Sequence, residues 1–88
     1  MKEIVKKYVD TYINANYPGA VQKNRDELYK MVDEARKFVQ FERNANQRGD
    51  DALMGKLETY VQRLDITEIE RDVVFDCAFN LNTFILNA

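Results

Sequence analysis

The 88-residue chain contains no histidine and a single cysteine, and each shortage removes a class of chemistry. Without imidazole there is no His-based triad, no His-ligated zinc and no histidine general acid or base. One cysteine excludes an internal disulfide, a CxxC redox pair and a Cys-rich metal centre, and nothing in the cysteine usage points to secretion. That residue, Cys77, falls among Val73, Val74 and Leu81, where a free thiol reads as a small buried hydrophobe. Long apolar runs are also missing. None approaches the roughly 18 residues of a membrane span, and the opening Met1-Lys2-Glu3-Ile4 lacks the apolar centre of a signal peptide. A cytoplasmic protein without a cofactor, a metal or a membrane contact is therefore expected.

What is present suits one folded domain over residues 1–88. Apolar residues make up 45% of the chain and charged residues 32%, the balance of a globular protein and not of a disordered tail. This length lies near the limit at which one core outweighs the entropy of ordering the chain. Net charge is −2 but uneven. Residues 1–49 carry ten Lys/Arg against seven Asp/Glu, and residues 50–88 three against eight, so the halves are +3 and −5. Part of the acidic excess, at Asp65, Glu68, Glu70 and Asp72, has a local cause, because carboxylates favour the positive end of a helix. The remainder permits contact with a basic partner or head-to-tail contact between copies.

Periodicity predicts four helices and an all-α fold, either a small four-helix bundle or paired helical hairpins with the C-terminal helix central. The first helix is expected from Lys2 to Ala15, with Ile4, Val5, Tyr8, Val9, Tyr12 and Ile13 on one face. Pro18-Gly19 ends it, because the residue before proline is pushed out of helical angles. Tyr17, in that break, reads as a ring folded back over the helix end. The second helix, Asn24 to Arg43, has Asn24 and Glu27 as a reciprocal cap and Leu28, Met31, Val32, Ala35, Phe38 and Val39 towards the core. Tyr29 and Phe41 lie off that stripe and are expected at the surface.

Arg43 to Asp50 reads as a connection, and Arg48-Gly49-Asp50 within it as an exposed turn whose Asp50 or Asp51 caps the third helix. The third helix, Asp51 to Leu64, presents Leu53, Leu57, Tyr60, Val61 and Leu64, with Met54 at the margin. Gly55 inside it costs roughly 1 kcal/mol of helix propensity. After Asp65-Ile66, Thr67 and Glu70 form a capping box for a fourth helix, Glu68 to Leu86. Val73-Val74-Phe75 and Thr83-Phe84-Ile85 favour strands, an alternative that the cap and the helical period oppose.

Known chemical motifs fit poorly. The third and fourth helices resemble a helix-turn-helix in layout, but the leading residues Glu68, Glu70 and Asp72 would set carboxylates against phosphates, so nucleic acid is not the expected partner. All-helical magnesium-dependent nucleotide pyrophosphatases combine a Glu-Glu pair with a later Glu-x-x-Asp. No Glu-x-x-Asp occurs here, and the acidic pairs Asp26-Glu27, Asp33-Glu34 and Asp50-Asp51 read as solvated faces and caps. A non-enzymatic protein follows. Its length, its asparagine content and its lack of catalytic residues match the composition of small accessory proteins from phages and bacterial mobile elements.

The fourth helix carries the functional expectation because it is apolar on two sides. Ile69, Val73, Cys77, Leu81, Phe84 and Ile85 share one face, and Phe75, Phe79 and Leu86 form a second stripe. Asp72, Phe75, Asp76 and Phe79 lie within one arc of about 100°. Such a mixture of aromatics and carboxylates suits a protein-binding surface, as in an inhibitor or adaptor. The partner-binding residues expected are Phe75, Phe79, Asp72, Asp76, Leu86, Tyr29 and Phe41. The competing expectation seats Phe75 and Phe79 under the first helix, with Asp72 and Asp76 in solvent or paired with Lys6 and Lys7. A homodimer or higher oligomer is expected if the second stripe is exposed. Two other functions stay open: a helical homo-oligomer holding a small molecule or nucleotide between subunits, and a DNA-binding regulator using the third and fourth helices.

Overall fold

The computed structural model describes residues 3–19, 25–46 and 49–81. Four helices occupy them: α1 (Glu3–Asn16), α2 (Arg25–Asn46), α3 (Asp50–Gln62) and α4 (Glu68–Leu81). No strand occurs among the described residues, and the strand-favouring Val73-Val74-Phe75 lies within α4. Thr83-Phe84-Ile85 and Leu86 fall outside the described residues, as does the proposed cap Asn24. Among the described residues no helix is long and apolar enough to cross a membrane.

Local chemistry explains the helix ends. The Tyr17 amide still donates to the Ile13 carbonyl at 2.7 Å, and Pro18, which has no N–H, cannot extend the pattern. The Thr67 amide donates to Glu70 Oε1 at 3.0 Å, while the Glu70 amide donates to Thr67 Oγ1 at 3.2 Å, which is the reciprocal box expected. The α3–α4 turn is closed by Leu64 N–H to the Val61 carbonyl at 3.1 Å, and Arg71 Nη2 reaches back to the Leu64 carbonyl at 3.2 Å.

Several boundaries differ from expectation: α1 ends one residue later, at Asn16, and α3 two residues earlier, at Gln62 and not Leu64. α2 continues to Asn46, three residues past the expected end, since Asn44, Ala45 and Asn46 contain neither glycine nor proline to stop it. The N-cap of α3 is Gly49, extended at φ −63° and ψ 166° with no side-chain capping bond, so neither aspartate serves as the cap residue.

α2 and α4 form the central pair. They share the largest contact, and each also touches both α1 and α3, whereas α1 and α3 do not meet. The interior is the joint product of four stripes: Val5, Val9 and Ile13 of α1; Leu28, Val32, Ala35 and Val39 of α2; Leu53, Leu57 and Val61 of α3; and Val73, Val74, Cys77, Ala78 and Leu81 of α4. α4 buries residues at consecutive positions because it has neighbours on several sides. Ile4 and Ile69, expected on core faces, are instead exposed, since each lies near the start of its helix beyond the reach of the neighbours.

Tyr29 reverses its expectation. The ring is only 8% exposed and belongs to the core, because its hydroxyl finds a carboxylate at the α1–α2 junction. Among the described residues one charged residue is buried. Arg36 is 6% exposed and its Nε and Nη2 both donate to Asp33 Oδ1, at 3.1 and 2.5 Å. Burial pushes the Asp33 carboxyl up, but its bonds to Arg36 and Lys37 outweigh that and hold it below the usual range.

Urea denaturation checks the packing with substitutions of opposite sign. Leu57→Ala is expected to cost about 2–5 kcal/mol, the range for a buried leucine. Gly55 is helical and a Cβ there would meet nothing within 4 Å, so Gly55→Ala should gain up to about 1 kcal/mol. Thr67→Ala should lose about 1 kcal/mol with its cap.

Candidate interaction surface on the third and fourth helices

The expected arc of α4 is occupied from within the molecule on one flank. Tyr12 of α1 donates its hydroxyl to Asp76 Oδ2 at 2.5 Å, and Tyr17, just beyond α1, donates to Asp72 Oδ2. The two rings stand 6.4 Å apart at a tilt of 51°. Each carboxylate thus accepts a phenol, and neither bonds Lys6 or Lys7; the ion pair of Lys6 runs to Glu3 at 3.9 Å. A third bond of the same kind joins α1 to α2. Asp10 Oδ1 accepts the Tyr29 hydroxyl at 2.6 Å and Arg25 Nη1 at 2.7 Å. α1 is therefore clasped on both flanks by tyrosine–carboxylate bonds.

The aromatic members of the arc are half-buried. Phe75 and Phe79 both pack against the core, and the Arg43 guanidinium stands 6.0 Å from the Phe79 ring centroid, within cation–π range. Phe41, on α2, is 67% exposed and remains an open apolar surface. Of the residues expected to bind a partner, Asp72, Phe75, Asp76 and Phe79 do share α4; Tyr29 lies in the interior, Phe41 stands on another helix, and Leu86 is outside the described residues.

A groove of about 610 Å³ runs between the C-terminal half of α3 and the N-terminal half of α4, with Tyr17 at its edge. Its apolar lining is Val61, Ile69, Phe75 and the Tyr17 ring, and its polar lining is Glu58, Gln62, Glu68, Arg71 and Asp72. Ile69 is 40% exposed there, whereas the residues one and two turns on, Val73 and Cys77, are fully buried. The contribution of Glu58, Gln62 and Glu68 was not legible in the sequence, because no spacing within one helix reports which faces of α3 and α4 converge. A smaller concavity, about 420 Å³, lies over Phe38 and Tyr60, whose rings stack at 4.7 Å, with Gly55, Lys56 and Arg63 at its border.

Two phenols beside the surface and the thiol behind it favour their neutral forms. Burial, then the hydrogen bond and charge of Asp76, push the Tyr12 hydroxyl well above its ordinary 10.0. The bond to Asp72 raises Tyr17 in the same direction. Burial lifts the Cys77 thiol from 9.0 to about 12, which disfavours a reactive thiolate. Among the described residues no group of three or more His, Cys, Asp or Glu side chains is arranged to hold a metal ion.

No protein-family model, curated protein or solved structure matches this chain.

The raised phenols and thiol carry a sign. A group whose folded pKa exceeds its unfolded value stabilises the fold fully below the unfolded value, and that contribution is lost as pH rises towards the folded one. Stability should therefore fall above about pH 9, where Cys77 and then the tyrosines would ionise in the unfolded chain. Tyr12→Phe should lose about 1 kcal/mol at neutral pH and show a shallower alkaline decline. Urea midpoints at pH 7 and at about pH 11 test this; parallel declines in the two proteins would exclude the Tyr12 contribution.

Proposed function

We propose that the protein is a non-enzymatic interaction module, of the inhibitor or adaptor kind, that binds a larger protein through an apolar and acidic surface on α4. The observation that carries this reading is the exposure of Ile69 on the helix whose other aliphatic side chains are buried, inside a groove that also holds Phe75, Asp72 and Glu68. An apolar floor bordered by charge is the usual make-up of a protein contact, with aromatic and aliphatic anchors in the centre and polar groups at the rim. The clasps of Tyr12 and Tyr17 support it further, because they hold the α1 edge still and so limit the ordering needed on binding.

Carboxylates Glu68, Glu70 and Asp72 in the first turns of α4 disfavour the DNA-binding alternative, since they would face phosphate in a helix-turn-helix arrangement. Self-association is the second reading, and the exposed Phe41 favours it.

Affinity capture from a bacterial lysate, followed by mass spectrometry of proteins and small molecules, tests the first reading. The wild type should retain a protein at stoichiometric ratio, and Ile69→Asp should lose it with an unchanged melting temperature. A retained metabolite with no accompanying protein would replace this reading with a ligand-binding one. Light scattering on the wild type and Phe41→Ser tests self-association. A dimer abolished by the substitution supports it, and a wild-type monomer removes it.

A further inference from the structure

The geometry points to the α3–α4 groove as the docking site for a cationic segment of the partner protein, one that sets Arg or Lys side chains among Glu58, Glu68 and Asp72 and an apolar residue against Ile69. This rests on the interaction reading above and names the chemistry of its partner.

The charge balance of the groove is one-sided. Three carboxylates and one guanidinium line it. Arg71 donates from Nη2 to the Leu64 carbonyl at 3.2 Å and forms no ion pair with those carboxylates among the described residues. Among the described residues Asp72 accepts only the neutral Tyr17 hydroxyl, and Glu58 and Glu68 make no ion pair. Elsewhere among the described residues some carboxylates do meet cations: Glu3 meets Lys6, Asp10 meets Arg25, Asp33 meets Arg36 and Lys37, and Glu42 meets Lys56. Glu68 has a local reason to stand in the first turn of α4, where the helix dipole favours a carboxylate. Glu58 has none, since it lies towards the C-terminal end of α3, whose last turn carries no basic residue.

The aromatic rings complete the requirement. Phe79, one turn beyond Phe75 on α4, already has the Arg43 guanidinium at 6.0 Å from its ring centroid. Phe75 and Tyr17 offer the same kind of ring face in the groove, beside carboxylates that would hold the cation's other side. A cation from outside the chain would satisfy both sets of groups at once, and like-charge repulsion would reject an acidic partner. The half-exposed Ile69, backed by the buried Val61, supplies the apolar floor for a neighbouring aliphatic side chain.

The probe is a short helical peptide of Leu, Ala and Arg, titrated into isotopically labelled full-length protein and followed by amide chemical shifts. The counterpart peptide has Glu in place of Arg. Shifts should centre on Glu58, Gln62, Ile69, Asp72 and Phe75, the affinity should fall as salt rises, and the acidic peptide should give none. Glu58→Gln with Glu68→Gln should weaken the Arg peptide about fivefold to tenfold at an unchanged melting temperature. Glu3→Gln with Glu34→Gln removes the same charge outside the groove and should change affinity by less than about twofold. Should Glu68→Gln weaken the helix start, Glu58→Lys alone repeats the charge change on α3.

Shifts spread over the whole surface, equal weakening by the two charge pairs, or equal binding of the acidic peptide would overturn the inference. A lysate partner lost with Ile69→Asp but kept with Glu58→Gln and Glu68→Gln would leave the interaction reading standing and remove only its cationic partner. A protein with no Ile69-dependent partner would remove the interaction reading itself.

Discussion

Phenol hydroxyls donated to aspartates hold the α1 edge of this bundle, and the shape of the molecule around α4 depends on them. α1 buries only Val5, Val9 and Ile13 completely and has no contact with α3, so its apolar stripe is narrow for a helix that must stay attached in an 88-residue domain. Tyr12 to Asp76 and Tyr17 to Asp72 bind it to α4, and Tyr29 to Asp10 binds it to α2. A hydrogen bond to an ionised acceptor is stronger than a neutral one, and these span elements far apart in the chain. The arrangement orients two aromatic rings along α4 and makes Tyr17 the edge of the groove.

A consequence is that Asp72 and Asp76 do two things at once. They are the acidic members of the arc first suggested by helical periodicity, and they are acceptors inside the fold. The part of the acidic surface without a side-chain hydrogen bond among the described residues therefore shifts towards Glu58 and Glu68, where α3 and α4 converge. Apolar exposure shifts in the same direction. Phe75 and Phe79 settle against the core while Ile69 stays open, so the N-terminal half of α4 is the section with the richest mixture of unburied apolar and charged groups. The interaction proposal and its cationic partner both rest on that convergence.

The fold was largely legible in the sequence because its signals are local. Thr67 and Glu70 are three residues apart and cap the helix as their types dictate. The Val5-Val9-Ile13 spacing states a helical face, and Pro18 states its end. What stayed hidden depends on pairing at a distance. Tyr17 and Asp72 are 55 residues apart, Tyr12 and Asp76 are 64, and periodicity within a helix says nothing about either. Tyr29 reads as a surface residue for the same reason, since an off-stripe tyrosine enters a core when its hydroxyl finds an acceptor on another helix. Ile69 failed in the opposite sense. It continues the Val73-Cys77 stripe, yet the stripe outruns the neighbours that would cover it. Arg36 entered the interior because Asp33, one turn earlier, travels with it.

Native-state amide hydrogen exchange in Tyr12→Phe with Tyr17→Phe tests most directly whether the clasps hold α1 to the bundle. The account predicts that the α1 amides from Tyr8 to Ile13 exchange about tenfold faster than in the wild type, with the centres of α2 and α4 almost unchanged. Unchanged protection of α1, or an equal loss across all four helices, would contradict it.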